Sequence, residues 1–394
     1  MSFTSTTQTR RRARTNAPRP LLWTLLLAGL VGASGCGGGG AQQTTTGGGA
    51  GGSSSSSTTG SGGGGSSGAT TSSTTTSSST TSSTTAAPID AGPACTPDVP
   101  RVVPLQVWAE PDAGQTPFVD ALATAGTSIR VMVYEMGYGS ILDTLLQKAK
   151  AGVAVRVILD VSKQSINQKY FDQLTTAGAK VAWSDPQFTY MHAKAIVVDD
   201  AIAVISTGNY LASQMAKERN YVVRDEDPAD VASLAGLFDA DWTRAAPDLS
   251  CTRLLVSPIN ARERLLALIA SATTTLDIES MQFADTEVRA AVLERKNAGV
   301  AVRVILADTG WVSSNDAAAT FLTQNGIAAR YLVTPAVHVK AIAVDGARGY
   351  LGSENLSWTS LNKNREVGVI AYESDVLHTM GATFDQDWAA ATPF

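Results

Sequence analysis

Between residues 37 and 87 the sequence has no aromatic residue, no aliphatic side chain larger than alanine and no charge; only Gly, Ser, Thr, Ala and Gln occur. Such a stretch cannot bury enough apolar surface to offset the entropy lost on ordering, so 37–90 is read as a disordered linker. That leaves about 300 of the 394 residues to fold. Basic charge is the second shortage. The chain carries 30 Lys and Arg against 35 Asp and Glu, and five of the 30 (Arg10, Arg11, Arg12, Arg14 and Arg19) lie at the extreme N-terminus. Without them the balance is 25 against 35, a net charge near −10, which excludes a body that coats nucleic acid through indiscriminate attraction to phosphates. After Val31 no apolar run is long enough to cross a bilayer. Histidine and cysteine are rare as well, three of each. No set of His, Asp and Glu is clustered at metal-ligand spacing, so neither a two-metal centre nor any other cofactor is expected.

The one long apolar run, Leu21–Val31, follows the arginine cluster and precedes Ala33-Ser34-Gly35-Cys36. It is too short for a permanent span and reads as a signal peptide over residues 1–36. Small residues closed by a cysteine resemble the lipobox of bacterial lipoproteins, in which Cys36 becomes the lipid-modified first residue. That resemblance implies an exported protein, anchored by lipid at the outer membrane or cell surface, whose body samples the membrane on a leash reaching about 40 Å. Export to an oxidising compartment also makes Cys95 and Cys251 a candidate disulfide.

What the chain does have is an internal repeat. Ala151-Gly152-Val153-Ala154-Val155-Arg156-Val157-Ile158-Leu159 returns as Ala298-Gly299-Val300-Ala301-Val302-Arg303-Val304-Ile305-Leu306, and Phe238-Asp239-Ala240-Asp241-Trp242 returns as Phe384-Asp385-Gln386-Asp387-Trp388. The period of 146 to 147 residues divides the body into copies at 100–250 and 251–394. Each copy opens with a β-rich run (Ser128–Tyr134, Thr275–Met281), continues with a helical stretch (Ile141–Ala151, Glu287–Ala298) and returns to the Val-Arg-Val-Ile strand. Each closes with an amphipathic helix; the first is announced by Asp227 as N-cap, Pro228 behind it, and an apolar stripe of Leu234, Leu237, Phe238 and Trp242. The expected fold is α/β, in two tandem units of mixed sheet flanked by helices and related by a pseudo-two-fold axis.

Two of the three histidines head the same pattern, His192-x-Lys194-x4-Asp199 and His338-x-Lys340-x4-Asp345. In a strand, side chains alternate faces, so His and Lys two apart share a face whereas the Asp seven residues on falls on the other. Asp199 and Asp345 are therefore assigned structural support at the strand ends. Paired motifs of this kind, with Gly352-Ser353-Glu354-Asn355 after the second and Ser206-Thr207-Gly208-Asn209 after the first, resemble the phospholipase D superfamily, whose mark is HxKx4D followed by GSxN. The second copy fits throughout; the first has Ser for the glycine and Thr for the serine. The resemblance spans about 105–394.

It implies a metal-independent attack on phosphorus. One imidazole forms a phosphohistidine while the other protonates the leaving alcohol and then activates water. Lys194, Lys340, Asn209, Asn355 and Ser353 would hold the non-bridging oxygens. Glu366 lies 28 residues after His338, where the first copy has Asn220 28 residues after His192. The family places a carboxylate or amide there to orient an imidazole across the pseudo-two-fold, so Glu366 is expected to serve His192, the nucleophile, and Asn220 to stand beside His338, the acid.

Tethering and acidity favour a phospholipid substrate at a membrane surface, cleaved or transferred at its head-group phosphodiester. A secreted nuclease of the same superfamily is the alternative and needs a basic groove, for which Lys163, Lys169, Lys180, Lys363 and Arg365 are the candidates. An inactive surface-binding protein is disfavoured by two intact His-x-Lys pairs. A monomer is expected because one chain holds both half-sites. His378 reads as an exposed helix start, Phe188, Tyr190 and Met191 as candidate lining of an acyl or glycerol pocket, and Trp311 as a candidate contact for lipid head groups.

Overall fold

The computed structural model describes residues 97–394. The expected signal peptide, Cys36, the linker and Cys95 lie outside the described residues; Cys251 is disulfide-bonded.

The first copy forms a mixed sheet from β1 (Gln106–Glu110), β2 (Ser128–Val133), β3 (Ala154–Leu159), β4 (Lys180–Trp183), β5 (Lys194–Val198), β6 (Ile202–Ser206) and β7 (Glu218–Asp225). Their order is β1-β7-β6-β5-β2-β3-β4, with β2, β3 and β4 parallel and the rest antiparallel. The second copy follows with β8 (Leu254–Ser257), β9 (Thr275–Ser280), β10 (Ala301–Ala307), β11 (Ala328–Leu332), β12 (Ala336–Val337), β13 (Lys340–Val344), β14 (Arg348–Gly352), β15 (Glu366–Ala371) and β16 (Thr392–Pro393). Its sheet, β16-β11-β10-β9-β13-β14-β15-β8, repeats the strand order of the first, and β12 leaves to pair in parallel with β7 of the other copy. The α/β reading and the duplication are both present.

Three apolar clusters result. Each sheet packs one face on its own helices, through residues such as Ile129, Val157 and Leu145 in the first copy and Ile278, Val304 and Leu265 in the second. The third cluster lies between the sheets, where Met132, Ala195 and Val223 meet Ile305, Ala341 and Val367, together with Leu234 and Phe238 of helix Pro228–Thr243 and Met380 and Phe384 of helix Ser374–Ala390. Asp227 caps the first of these helices by accepting from the Ala229 and Asp230 amides.

The recurring letters acquire physical meaning here. In Phe-Asp-x-Asp-Trp the first aspartate holds the strand arginines of its own copy: Asp239 pairs with Arg156 at 2.6 Å and Arg130 at 3.2 Å, and Asp385 with Arg303 at 2.8 Å. Those guanidiniums lie over the rings of the same motif, Arg156 above Phe238 and Trp242, Arg303 above Phe384 and Trp388. The second aspartate crosses to the other copy: buried Asp387 takes Arg219 at 2.6 and 2.8 Å, and buried Asp241 lies 3.0 Å from Arg365. The contacts are reciprocal, as a pseudo-two-fold axis requires.

Candidate active site

His192 and His338 enter the site from strand beginnings held by the opposite copy. The His338 amide donates to the Arg219 carbonyl at 3.1 Å, continuing the β12–β7 pairing, and the His192 amide donates to the Arg365 carbonyl at 2.8 Å beside the bridge between Met191 and Arg365. Each histidine is thereby laid next to the residue that follows the other copy's buried arginine. Glu366 Oε2 lies 2.8 Å from His192 Nδ1, and Asn220 Oδ1 lies 3.0 Å from His338 Nδ1. Asn220, expected beside His338, is thus in direct contact with that imidazole.

Both rings and both lysines are buried. Lys194 Nζ donates to the His192 carbonyl at 2.5 Å; Lys340 Nζ donates to the His338 carbonyl at 2.5 Å and to the Thr207 carbonyl at 3.2 Å. Burial pushes the His192 imidazole down to about 4, with Lys194 and Lys340 acting in the same direction and Glu366 opposing. Burial, then Lys340, Lys194 and His192, hold His338 well below the usual imidazole range. Burial works against ionisation of Glu366, but His192, Lys194 and the amide of Asn364 outweigh it and bring the carboxyl down to about 2. The resting site therefore sets a neutral His192, its Nδ1–H donated to a carboxylate, with the Nε2 lone pair left for substrate.

Asn209 and Asn355 follow β6 and β14, and the Oδ1 of each is buried without a protein partner. An open Oδ1 is an acceptor that a donor group of a ligand can satisfy, whereas a phosphate oxygen would be met by the Nδ2 of the same amide. Ser353, expected as a phosphate ligand, also has a structural part in the turn. Its side chain is fully buried and its Oγ accepts the Val367 amide at 3.0 Å, which fixes the turn next to Glu366. Thr207 does the same in the first copy for Tyr221 and also donates to Asn220 Oδ1 at 2.9 Å.

The departure of Ser206-Thr207-Gly208-Asn209 from the GSxN pattern has a steric cause. A Cβ at Gly208 would stand 2.7 Å from the Asn220 side chain, so glycine is required at the third place. In the second copy a Cβ at Gly352 would lie 2.5 Å from Glu354 Oε2 and 2.6 Å from Gly368 Cα, so glycine is required at the first. Glu354 is buried there, takes the Tyr350 hydroxyl at 2.6 Å, and is pushed up to about 8 by burial and by Glu366.

Asp199 and Asp345 close the motifs as supports. Asp199 accepts from the Gly126, Thr127 and Ser128 amides at 2.7 to 2.9 Å, and Asp345 from those of Thr273, Thr274 and Thr275, each clamping its strand end to the start of β2 or β9. Both sit at positive φ, 52° and 55°.

Four residues were not read from the sequence. Glu218 Oε2 lies 3.7 Å from His338 Nδ1, and Asn364 Nδ2 donates to Glu366 Oε1 at 2.9 Å. Buried Asn167 and Asn315 pin the loops after β2 and β9, accepting from the Met136 and Phe283 amides at 3.1 Å. The signal for the first two was visible as Glu218-Arg219-Asn220 against Asn364-Arg365-Glu366.

Of the candidate basic cluster, Arg365 is buried against Asp241 and the Ser257 carbonyl, with its guanidinium over the buried Phe188 at 4.4 Å. Lys163 pairs with Glu135 at 2.8 Å, and Lys169 lies over Tyr138 and Tyr170. Met191 is buried, Tyr190 meets Tyr134 edge-on, and Tyr134 meets the His192 ring at 4.6 Å. Trp311, 40% exposed, stacks towards His338 at 6.2 Å. His378 is exposed on helix Ser374–Ala390, away from the motifs. Among the described residues no group of three or more His, Cys, Asp or Glu is placed to hold a metal ion, and no helix is long and apolar enough to cross a membrane.

A family model described as "Cardiolipin synthase, PLD-like domain" matches residues 118–242 and 265–388, once in each copy. Cardiolipin synthase 1 of Bacillus cereus is 22% identical over 298 residues, covering 64% of this chain and 58% of that protein. The mitochondrial cardiolipin hydrolase of Danio rerio is 30% identical over 132 residues, 33% of this chain and 58% of the relative. The chain thus spans a little over half the length of each. The phosphatidylserine synthase of Haemophilus influenzae aligns with a TM-score of 0.58 at 14% identity, over 74% of this chain and 87% of that one, a likeness of fold.

Proposed function

The chain belongs to the family of cardiolipin synthase, PLD-like domains, which it carries twice, and from that premise we propose that it is a phospholipase D-type phosphodiesterase acting on phospholipid head groups. The observation that carries this reading is the convergence of one His-Lys pair from each copy in a single buried site, one ring against a carboxylate and the other against an amide.

In the proposed reaction His192 Nε2 attacks phosphorus. An N–P bond forms, the P–O bond to the head-group alcohol breaks, and His338 gives the departing oxygen its proton. Glu366 compensates the charge that His192 acquires. The phosphate's negative charge offsets Lys194 and Lys340, which raises the proton affinity of both rings while substrate is bound. His338 then takes a proton from water, the resulting hydroxide attacks phosphorus and the N–P bond breaks; an alcohol in place of water gives transfer. Lys194, Lys340, Asn209 and Asn355 are the donors for the non-bridging oxygens.

A lipid substrate is supported by the loops around the histidines. Tyr138 is 60% exposed, Val333 62%, Trp358 55% and Trp311 40%, each on a segment leading from a site strand or into a site motif. Exposed apolar and aromatic side chains on segments that flank the site motifs suit a membrane interface. The reading includes a lipid anchor at Cys36 and residence at the outer membrane or cell surface, supported by Leu21–Val31 and the small residues before Cys36.

Incubation of the full chain with phosphatidylcholine, phosphatidylethanolamine, and single- and double-stranded DNA in EDTA tests the proposal. Choline or ethanolamine release, undiminished by the chelator, is expected. DNA cleavage without head-group release would replace this reading with a nuclease, and activity restored only by added divalent metal would refute the mechanism.

A further inference from the structure

The segments paired with the two histidine segments, at the start of β7 and leading into β15, carry the same three residues in opposite order, Glu218-Arg219-Asn220 and Asn364-Arg365-Glu366. In both, the amide donates to the carboxylate two residues away: Asn364 Nδ2 to Glu366 Oε1 at 2.9 Å, and Asn220 Nδ2 to Glu218 Oε2 at 3.3 Å. The pair is kept and the member facing the imidazole is exchanged. His192 meets the carboxylate directly; His338 meets the amide, with the carboxylate 3.7 Å from its Nδ1.

His338 is the ring that must carry a proton to the leaving oxygen, and most of its surroundings oppose that. It is buried, Lys340 Nζ lies 3.3 Å from its Nδ1, and the charges of Lys194 and His192 are felt as well. Thr207 and Trp311 face it as neutral groups. Asn220 is also neutral, and an amide presents oxygen or nitrogen with equal ease unless its neighbours fix it. The Thr207 hydroxyl holds Asn220 Oδ1, and Glu218 holds the Nδ2 end.

We propose that Glu218 is a positioning residue for His338: by accepting from Asn220 Nδ2 it keeps Oδ1 turned to His338 Nδ1, and its negative charge favours the imidazolium that protonates the leaving alcohol. The inference rests on the phosphodiesterase reading above. Glu218 itself is buried, which with Glu135 raises its proton affinity, while Asn220, Lys340 and Lys194 lower it. Removed by one amide, the carboxylate supports the proton on His338 without clamping the ring as Glu366 clamps His192. That difference suits an acid that must let its proton go and a nucleophile that must keep its charge compensated.

The test uses the full chain with Glu218→Gln and Glu218→Asp, two phosphodiesters and one spectroscopic measurement. A nitrophenyl ester leaves without help from an acid; phosphatidylcholine does not. Loss of an opposite charge at this range lowers an imidazole pKa by about one unit, so Glu218→Gln should lose about tenfold on phosphatidylcholine and at most about twofold on the nitrophenyl ester. Glu218→Asp should recover most of the loss. Independently of turnover, ¹⁵N shifts of the three histidines at neutral pH should show His338 protonated on Nδ1 in the native chain and a mixture of tautomers in Glu218→Gln. Equal losses on the two esters, or an unchanged His338 tautomer, would overturn the inference. If the native protein cleaves neither ester, the phosphodiesterase reading falls, and the tautomer measurement alone decides the role of Glu218.

Discussion

His192 and His338 are equivalent by repeat but differ in what stands behind Nδ1, a carboxylate at 2.8 Å in one case and an amide oxygen at 3.0 Å in the other. Glu366→Gln keeps the size of the side chain and removes the charge that fixes the His192 tautomer, so kcat should fall on the order of 100-fold or more, measured on a nitrophenyl phosphodiester to bypass the acid. The pH profile follows from the same environment. Burial lowers the His192 pKa to about 4, so its lone pair stays available above that value and is lost as the pH falls through it. With the nitrophenyl ester, kcat/KM should therefore hold steady through pH 6.5 and decline only near about 4. An acid limb near 6.5 would show an unperturbed nucleophile. These residues were legible in the sequence because chemistry constrains their type and spacing. The structural part of Ser353 and the place of Glu218 were not legible, because a hydroxyl or carboxylate two residues away gives no sign of which way it points until the strand register is known.

At the scale of elements, the site depends on strands exchanged between copies. The arginines at the centres of the exchanged segments are buried, Arg219 against Asp387 and Arg365 against Asp241. Removing one partner leaves an uncompensated buried charge, so Asp387→Ala should destabilise the fold by about 3–5 kcal/mol in chemical denaturation. A loss under about 1 kcal/mol would mean that Arg219 is stabilised by other means. The βαβ order, the capped helix at Asp227 and the period of the repeat were readable from apolar periodicity and turn residues. The pairing of Ala336–Val337 with Glu218–Arg219 was not, because a two-residue strand has no periodicity and its partner lies more than a hundred residues away. Nor was the reason for Gly208 in one copy and Gly352 in the other, which rests on what fills the space beside each turn.

At the scale of the whole molecule, the proposed reaction is divided between the two copies of one repeated unit. Each copy supplies a histidine and lysine to the site and also the residue that orients the other copy's histidine, so neither copy holds a complete set. The proposed lipid substrate rests at this scale on the acidic balance of the body and on the exposed Tyr138, Trp311, Val333 and Trp358. The division of labour is tested most directly by trapping. His338→Ala keeps the nucleophile and lacks the acid and water-activating ring, so with a nitrophenyl phosphodiester it should accumulate a phosphoenzyme; peptide mapping by mass spectrometry should find the added mass on the peptide that contains His192. The His192→Ala chain should acquire no such mass. Label on His338 in the His192→Ala protein, with none on His192 in its counterpart, would reverse the roles of the two copies and contradict the account.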